Sequence, residues 1–354
     1  MVSMGMAAQL MVFVLVRIMS ECISKQKINT ELHGFLFCVK GLIDALYHLI
    51  SNASQEEPQV VNYKKRVSGA ETFIPLVQYV SRLKPVMHIV NPVGEMRGRT
   101  YQVVTEEGKR LMASLIRTLH DFHRAGKCPE QFCASDIAVT STGRVKHTNT
   151  SLLRGKTDEL VLRNYEDARD IFEKTVFDGY DPTLIPEDIK HLLQLMTSPG
   201  AISAEYVIST HASLVPLSNR YQFYLDMCDH ITSVLDGNPE QNDILSSLPY
   251  GDKWVEKLEG NLLLEESFHR SGPYDTEGSA MAFLKFYRDT LMCRMENFMK
   301  PFKSFPGMKP LEYTKGDFES VLLVTYPMCL PRMQEELEKH KQLRDLNLQN
   351  LTFI

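Results

Sequence analysis

Several signatures that would define a function class are missing from this chain of 354 residues. Its seven cysteines are scattered without a CxxC pair, so we expect no disulfide framework, no zinc site, and a reducing, cytoplasmic compartment. The net charge is −5 at pH 7, which does not indicate general affinity for nucleic acid. Any RNA contact therefore has to come from a local patch.

Long apolar runs are missing as well. Residues 7–19, AAQLMVFVLVRIM, form a short apolar run that Arg17 interrupts. A bilayer span needs about 20 apolar residues, and neither a basic n-region nor a cleavage site for a signal peptide is clear. We interpret the run as a buried or partner-covered helix and expect no membrane partner. A membrane or targeting role is the alternative.

The residues that are present are typical of a globular protein, with 44% apolar and 23% charged. Residues 1–52 predict two helices, and the polar residues 51–59 predict a linker. Two short β-rich runs follow, TFIPLVQYV at 72–80 and PVMHIV at 85–90. Residues 1–98 therefore make a poorly defined N-terminal region.

A strong amphipathic helix is predicted over residues 105–126. Its apolar face and its glycine stop are marked by Leu111, Leu115, Leu119, Phe122 and Gly126. A β-hairpin is predicted next, with strands at 136–139 and 144–148 around a turn. The apolar residues of two further segments, 167–177 and 186–196, are expected to lie in the core.

A helix ending in glycine, a loop and a hairpin in this order make residues 99–216 resemble the C-lobe of a protein kinase. Residues 167–177 are similar to the buried central helix of that lobe, and residues 186–196 to the helix before its terminal Arg motif. The resemblance implies an N-lobe before it, but residues 60–98 are too few for five strands. They contain neither a Gly-rich phosphate loop nor a strand lysine, so we expect a vestigial N-lobe.

The stretch that resembles the kinase catalytic loop, KCPEQFCASDIAVTSTGRVKHTN at 127–149, has lost its chemical groups. The family's His, Arg, catalytic Asp, Lys, Asn and DFG Asp are replaced by Pro129, Glu130, Gln131, Cys133, Asp136 and Asn149. Gln131 cannot act as a base, and the neutral Asn149 is a poor ligand for a hard cation. Asp136 alone lacks a carboxylate partner. We expect no kinase activity and no binding of ATP or Mg²⁺.

Three later segments resemble the KEN ribonuclease domain, which follows the kinase lobe in the unfolded-protein-response sensor and in ribonuclease L. Residues 203–231 resemble the junction between the two domains, 274–298 the catalytic helix with its preceding loop, and 316–330 the closing segment. The resemblance implies an α+β, mainly α fold. A degenerate kinase-like C-lobe would precede an all-helical KEN-like domain at 217–340.

The resemblance also implies a site, because KEN domains cleave RNA without a metal through a Tyr, an Arg-Asn pair and a His. Arg288 matches the Arg, while Asp289 and Cys293 replace the Asn and the His. Tyr274 matches the Tyr if the loop carries one extra residue. Asp289 adds negative charge beside the phosphate, and a thiol with a pKa of about 8.5 is a poor acid–base group at pH 7. His269, predicted in the same loop region, is either a substitute acid–base group or an ordinary exposed histidine.

Aromatic residues around this helix are predicted to form a core rather than to stack on RNA. They are Phe283, Phe286 and Tyr287, with Trp254 packed beneath them. Arg288 is either a phosphate ligand or an exposed helix residue paired with a neighbouring acid. The lysines of residues 300–309 form a basic loop that either touches RNA or is solvated.

Three functions are compatible with this pattern. The first is a KEN-type endoribonuclease-like protein acting in mRNA processing or decay, with reduced or lost cleavage. The second is an inactive module that binds RNA or dimerises with an active paralogue. The third is a pseudokinase scaffold unrelated to RNA. Because the kinase part of the family pairs two copies, we expect a homodimer or a heterodimer, with RNA as a partner and no cofactor.

Overall fold

The computed structural model describes most of the chain after residue 71. The described residues are 72–149, 153–251, 253–272, 274, 279–292 and 313–352. They belong to one compact unit, Ala70–Ile354, and form mostly helices with small antiparallel sheets. The predicted α+β, mainly helical class is therefore confirmed. The predictions for residues 1–52, 51–59 and 300–309 lie outside the described residues.

The described part begins with strand β1 (Phe73–Pro75) and helix α1 (Leu76–Leu83). The β-rich interpretation of residues 72–80 was therefore wrong beyond the first three residues of β1. Pro75 precedes the helix with a φ of −54°, an angle that its ring imposes. Leu76 and Val80 lie four residues apart on one helical face and are both buried. One face of a short helix buries apolar residues as effectively as a strand does. Amino-acid composition alone therefore did not distinguish a helix from a strand here.

The second β-rich run, residues 85–90, contains a strand, which confirms the predicted β structure there. Strand β2 (Met87–Val90) pairs with β3 (Tyr101–Val104) in antiparallel register, with Met87 opposite Val104. The long connection between them reaches the C-terminal part of the fold, where the backbone of Gly94 accepts a hydrogen bond of 2.8 Å from Leu262 N.

Helix α2 (Glu106–Arg124) confirms the amphipathic prediction. Thr105 caps its start by accepting a hydrogen bond of 3.1 Å from Gly108 N. Gly126 ends the segment with a φ of +70°, a conformation that glycine adopts without strain. The three leucines of the predicted face are buried, whereas Phe122 is half-buried.

The predicted hairpin is also present. Strand β4 (Lys127–Pro129) is followed by β5 (Ile137–Thr140), β6 (Val145–His147) and β7 (Leu153–Gly155). Strands β5 and β6 pair with each other, and β1 joins the opposite edge of β5, giving the order β1-β5-β6. Strand β4 pairs with β7. A strand from the start of the described part thus completes the sheet around the kinase-like loop.

The next two helices confirm the predictions for residues 167–177 and 186–196. Helix α3 (Asp158–Ile171) starts earlier than predicted and continues as a π-helical turn over Phe172–Val176. Helix α4 covers Glu187–Met196. Both helices pack into a first hydrophobic core, which is formed by residues between 76 and 214.

The rest of the described chain is helical. Its helices are α5 (Glu205–Ser209), α6 (Leu217–Asp229), α7 (Pro239–Ser247), α8 (Leu262–Ser271), α9 (Ala280–Met292), α10 (Lys315–Thr325) and α11 (Cys329–Lys339). They surround a second hydrophobic core, formed by residues between 207 and 348. Phe283, Phe286, Tyr287 and Trp254 are buried in this core, which confirms their predicted role in packing.

Hydrogen bonds join the two cores. The fully buried Gln334 of α11 donates to Thr210 O (2.9 Å) and accepts from Ala212 N (2.9 Å). The carboxylate of Glu106 on α2 lies 3.3 Å from Leu217 N at the start of α6. Within the described part of the chain, no helix is both long and apolar enough to cross a bilayer.

Candidate functional site

Side chains of helix α3 hydrogen-bond to the backbone of the kinase-like loop, residues 127–149. Asp167 accepts a hydrogen bond of 3.1 Å from Phe132 N, and burial raises the pKa of the Asp167 carboxyl. Asn164, which is fully buried, donates to Pro129 O at 2.8 Å. A buried amide and a half-buried carboxylate therefore fix the backbone of a loop whose side chains carry little chemistry.

Asp136, which the kinase resemblance aligns with an Asn, stabilises the local backbone. Its carboxylate accepts hydrogen bonds from Cys133 N (3.0 Å) and from Cys133 Sγ (3.4 Å), closing a capping box on the short turn Ala134–Asp136. Glu130 forms an exposed ion pair of 2.9 Å with Arg154. These contacts use both side chains to order the loop.

The remaining positions of the loop do not converge on a metal. Gln131 is exposed and Asn149 is half-buried. Among the described residues, no three His, Cys, Asp or Glu side chains are grouped as metal ligands. The four described cysteines, Cys128, Cys133, Cys228 and Cys329, are free thiols. The expected lack of ATP and Mg²⁺ stays a prediction.

Beside this loop, the carboxylate of Glu205 on α5 contacts two basic side chains. Its carboxylate lies 2.6 Å from His123 Nδ1 and 2.9 Å from Lys156 Nζ. Burial alone would raise the pKa of Glu205, but the hydrogen bonds and charges of these two partners outweigh it and lower the pKa to about 2. Glu205 thus joins α5 to the end of α2 and to the segment after β7.

Tyr274, Arg288 and Asp289, which were predicted from a resemblance, meet at the side of α9. Tyr274 donates its hydroxyl to Asp289 Oδ2 at 3.1 Å, and Arg288 Nε lies 3.5 Å from Asp289 Oδ1. The side chain of Arg288 is 37% exposed and that of Asp289 20% exposed. Three of the four residues predicted for the site therefore lie together, with the Arg288 side chain partly exposed. Cys293 lies outside the described residues.

Tyr274 is held by aromatic packing. Its ring stacks on Phe268 of α8, with centroids 5.5 Å apart, and meets the edges of Trp254 (6.1 Å) and Phe286 (5.7 Å). Tyr274 itself is only 8% exposed. The aromatic core thus fixes the ring, and the hydroxyl is left to point along α9 towards Asp289.

Helix α8 braces α9 through a polar contact inside the core. Ser267 Oγ and Thr290 Oγ1 lie 2.8 Å apart, and both residues are buried. His269 lies on α8 and is exposed. The prediction that it belongs to a loop was therefore wrong. Asn261 caps the start of α8, because its side chain accepts hydrogen bonds from Leu263 N (3.0 Å) and Leu264 N (3.2 Å).

The chemistry of this arrangement depends on Asp289. Its carboxylate accepts the Tyr274 hydroxyl and offsets part of the Arg288 charge, so a phosphate approaching Arg288 meets a neighbouring anion. The exposed guanidinium still presents N–H donors in a geometry that suits phosphate. The site can therefore contact a phosphate more readily than it can stabilise the additional charge of a cleavage transition state.

No protein-family model matches this chain, and no curated protein is significantly similar to it. Its function has to be inferred from its own residues and their geometry.

Sequence interpretation missed a set of buried polar side chains between the two cores. They are Lys109, Asp188, His191, His211 and Arg220. One signal was present: Lys109 occupies the same helical face as Met112 and Ile116, which are buried, and a lysine on such a face has to have a special environment. Lys109 pairs with Glu106 three residues before it on α2, but the other members of the set come from distant segments, and no local pattern brings them together.

Proposed function

We propose that this protein is a pseudokinase with a KEN-like helical domain that acts on RNA and whose cleavage activity is reduced or lost. The contact of Tyr274 and Arg288 with the same carboxylate, Asp289, is the observation that carries the proposal. Tyr274 comes from the segment before α9 and Arg288 from its third turn, and the KEN resemblance requires these two residue types to lie together.

The kinase-like loop supports the scaffold part of the proposal. Asp167 and Asn164 hold its backbone, while Asp136 is used as a cap and Gln131 is exposed. A fixed loop backbone without phosphoryl-transfer groups fits a lobe that orients a second domain. Such a lobe needs its fold and not its chemistry.

An inactive module that binds RNA or pairs with an active paralogue is the second candidate. The specific observation in its favour is the position of Asp289, which accepts the Tyr274 hydroxyl at 3.1 Å and pairs with Arg288. An asparagine at this position would add no charge. The aspartate lowers the positive potential at the point where a cleaved phosphate would gain negative charge.

Two measurements on the purified full chain test the proposal. The first is binding of a fluorescent stem-loop RNA at fixed salt, and the second is cleavage of the same RNA in EDTA. We expect Arg288→Ala to weaken binding about 5- to 10-fold, because one phosphate contact is lost. Arg163→Ala, which removes an exposed arginine from α3, is the matched control and should leave binding unchanged.

The charge of Asp289 gives a second, opposite test. Asp289→Asn removes the anion and keeps the shape, so we expect RNA to bind about 3- to 10-fold more tightly. Asp345→Asn, at an exposed position, controls for the change in net charge. If the Asp289→Asn, Cys293→His double variant cleaves the RNA and the wild type does not, the geometry of the site is intact and the wild type lacks only the catalytic groups. If neither Arg288→Ala nor Asp289→Asn changes RNA binding, the proposal is wrong.

A further inference from the structure

Two buried histidines meet where the two hydrophobic cores join. His191 lies on α4, which packs in the first core, and is 5% exposed. His211 lies in the segment between the cores and is fully buried. His191 Nδ1 is 3.0 Å from His211 Nε2, and the centroids of the two rings are 5.2 Å apart. Neither histidine belongs to the sites described above, so their burial side by side needs its own explanation.

The two rings form the middle of a series of hydrogen bonds that links three elements. At one end, His191 Nε2 lies 3.2 Å from Glu335 Oε2 on α11. At the other end, His211 Nδ1 lies 2.8 Å from Ser213 Oγ and accepts a hydrogen bond of 3.2 Å from Ser213 N. Ser213 belongs to the short turn Ala212–Leu214. The series therefore joins α4 of the first core, this turn, and α11 of the second core.

The backbone fixes the position of the hydrogens on both rings. Because the amide of Ser213 can only donate, His211 Nδ1 has to accept and carries no hydrogen. The hydrogen of His211 is therefore on Nε2, from which it is donated to His191 Nδ1. His191 in turn carries its hydrogen on Nε2 and donates it to the carboxylate of Glu335. This arrangement satisfies every contact, and in it both imidazoles are neutral.

An additional proton has no favourable position in this series. On His211 Nδ1 it would face the amide hydrogen of Ser213, and on His191 Nδ1 it would face the hydrogen of His211 Nε2. Moving the hydrogen of His211 from Nε2 to Nδ1 only transfers the conflict to Ser213. Each protonated form therefore sets two N–H groups against each other at a buried place, where the lost hydrogen bond is not replaced by water.

A buried arginine beside His211 adds to the cost of a proton. Arg220 of α6 is 2% exposed and donates from Nη1 to Ala212 O at 2.9 Å. Burial holds the pKa of His211 well below its ordinary value of 6.5. A charge on His191 and the charge of Arg220 act in the same direction. The surroundings of His211 therefore favour the neutral ring.

The other titratable groups around Arg220 and the two histidines do not compensate a proton on His211. The carboxylate of Glu335 is shared between His191 and Arg332. The remaining groups either have a charged neighbour of their own or stay neutral because burial raises their pKa, and they are Lys109, Glu106, Asp188, Tyr287 and Cys329. A proton on His211 would thus be a buried charge without a carboxylate of its own.

The backbone on both sides of His211 is part of the junction between the cores. Gln334 of α11 donates to Thr210 O and accepts from Ala212 N, each at 2.9 Å. Relieving the conflict at a protonated His211 requires its ring or its backbone to move. Such a movement disturbs the contacts that Gln334 makes with the two neighbouring residues, so proton uptake acts on the packing of α11.

We propose that His191 and His211 form a pH-sensitive contact, which holds α11 against α4 and the turn Ala212–Leu214 while both rings are neutral and opens when His211 takes up a proton. In the open form His211 has its ordinary pKa of about 6.5, whereas in the closed form its pKa is lower. The contact is therefore fully stable above pH 6.5 and loses stability as the pH falls below this value. One such proton raises the population of the open form about tenfold between pH 7.5 and pH 5.5.

Hydrogen exchange of the full chain, followed by mass spectrometry at pH 7.5 and pH 5.5, tests the proposal. Protection factors correct for the intrinsic exchange rate at each pH. We expect them to fall about tenfold at the lower pH in peptides that cover residues 210–215 and α11. Peptides from α9, which contains no histidine, should keep their protection.

His211→Asn removes the proton acceptor and keeps a side-chain oxygen for the amide of Ser213. It loses the contact with His191, so we expect faster exchange at both pH values but a ratio between them close to one. His88→Asn is the matched control, because His88 lies at an exposed position of β2. This variant should show the same tenfold change as the wild type.

Nuclear magnetic resonance of the ¹⁵N-labelled wild type gives a second measurement that does not depend on a variant. The ring of His211 is assigned by its nuclear Overhauser contacts with Ser213. We expect its hydrogen on Nε2 and no titration of the folded signal between pH 7.5 and pH 6. The proposal is overturned if the hydrogen is on Nδ1, if this ring titrates near pH 6.5 in the folded protein, or if the wild type and His211→Asn show the same pH effect on exchange. No readout involves RNA, so the outcome is separate from that of the proposed function.

Discussion

Single residues set the electrostatic character of each region. Asp289 is shared by a tyrosine and an arginine, and Glu205 is shared by a histidine and a lysine. The first carboxylate is partly exposed, at the edge of a domain, where its charge acts on an approaching ligand. The second is largely covered, and its charge acts on folding. A carboxylate therefore acts on ligand binding at one position and on stability at the other, because the two differ in exposure.

Glu205 gives a prediction about stability and pH. Its pKa in the folded protein is about 2, below its ordinary value of 4.5. Folding therefore favours the ionised form, so the contribution is fully present above pH 4.5 and is lost as the pH falls towards 2. We expect Glu205→Gln to lower the free energy of unfolding by about 2–3 kcal/mol at pH 7, and by progressively less below pH 4.5.

Urea unfolding of the two proteins between pH 7 and pH 3.5 measures this difference. Glu256→Gln, at an exposed position, is the control for the loss of one charge. A difference between wild type and Glu205→Gln that stays constant over this pH range would contradict the assignment.

At the scale of elements, helix boundaries are fixed by a few local contacts. Thr105 caps the start of α2, and Gly126 ends its segment in the left-handed region, with a φ of +70°. No neighbouring atom lies within 4 Å of a methyl group built on Gly126. Backbone conformation, and not space, therefore requires glycine at this position.

Gly126→Ala should destabilise the protein by about 1 kcal/mol, because a side chain disfavours this backbone conformation. Gly155→Ala is a matched control, since Gly155 also has open space around it but no positive φ. We expect it to change stability by less than about 0.5 kcal/mol. Thermal or urea unfolding of both variants measures the difference, and equal effects would show that conformation is not the cause.

For the whole molecule, the important feature is the junction of the two hydrophobic cores. Gln334 is fully buried there and satisfies backbone groups of Thr210 and Ala212. Removing one side chain would leave both of these groups buried without a partner. Burying an unsatisfied polar group costs about 1–3 kcal/mol, so the junction is sensitive to single substitutions.

Gln334→Ala should therefore lower the free energy of unfolding by about 3 kcal/mol or more. Gln194→Ala, at an exposed position of α4, should have little effect. The comparison requires urea unfolding followed by tryptophan fluorescence, which reports on Trp254 in the second core, and by far-ultraviolet circular dichroism, which reports on both. A fully stable Gln334→Ala variant would mean that the junction is held by other contacts.

Much of the local structure could be predicted from the sequence. The face of α2, the hairpin of β5 and β6 and the burial of Phe283 followed from periodicity, turn residues and composition. Helix α1 could not be predicted, because a short apolar segment is compatible with a strand or a helix, and its contacts decide between them. His269 lies on α8 and not in a loop, because the side chain of Asn261 caps the start of that helix.

The sequence alone determined α2, the hairpin of β5 and β6 and the burial of Phe283, and it identified Tyr274, Arg288 and Asp289 as residues to examine together. Only the tertiary structure decided that Tyr274 donates to Asp289, that β1 pairs with β5, and that Gln334 bonds to the backbone of Thr210 and Ala212. The physical reason is the distance along the sequence over which each kind of interaction acts. Helical periodicity, caps and turns act over a few residues and are visible in a short segment, whereas these contacts join elements whose meeting depends on how the entire chain packs its two cores.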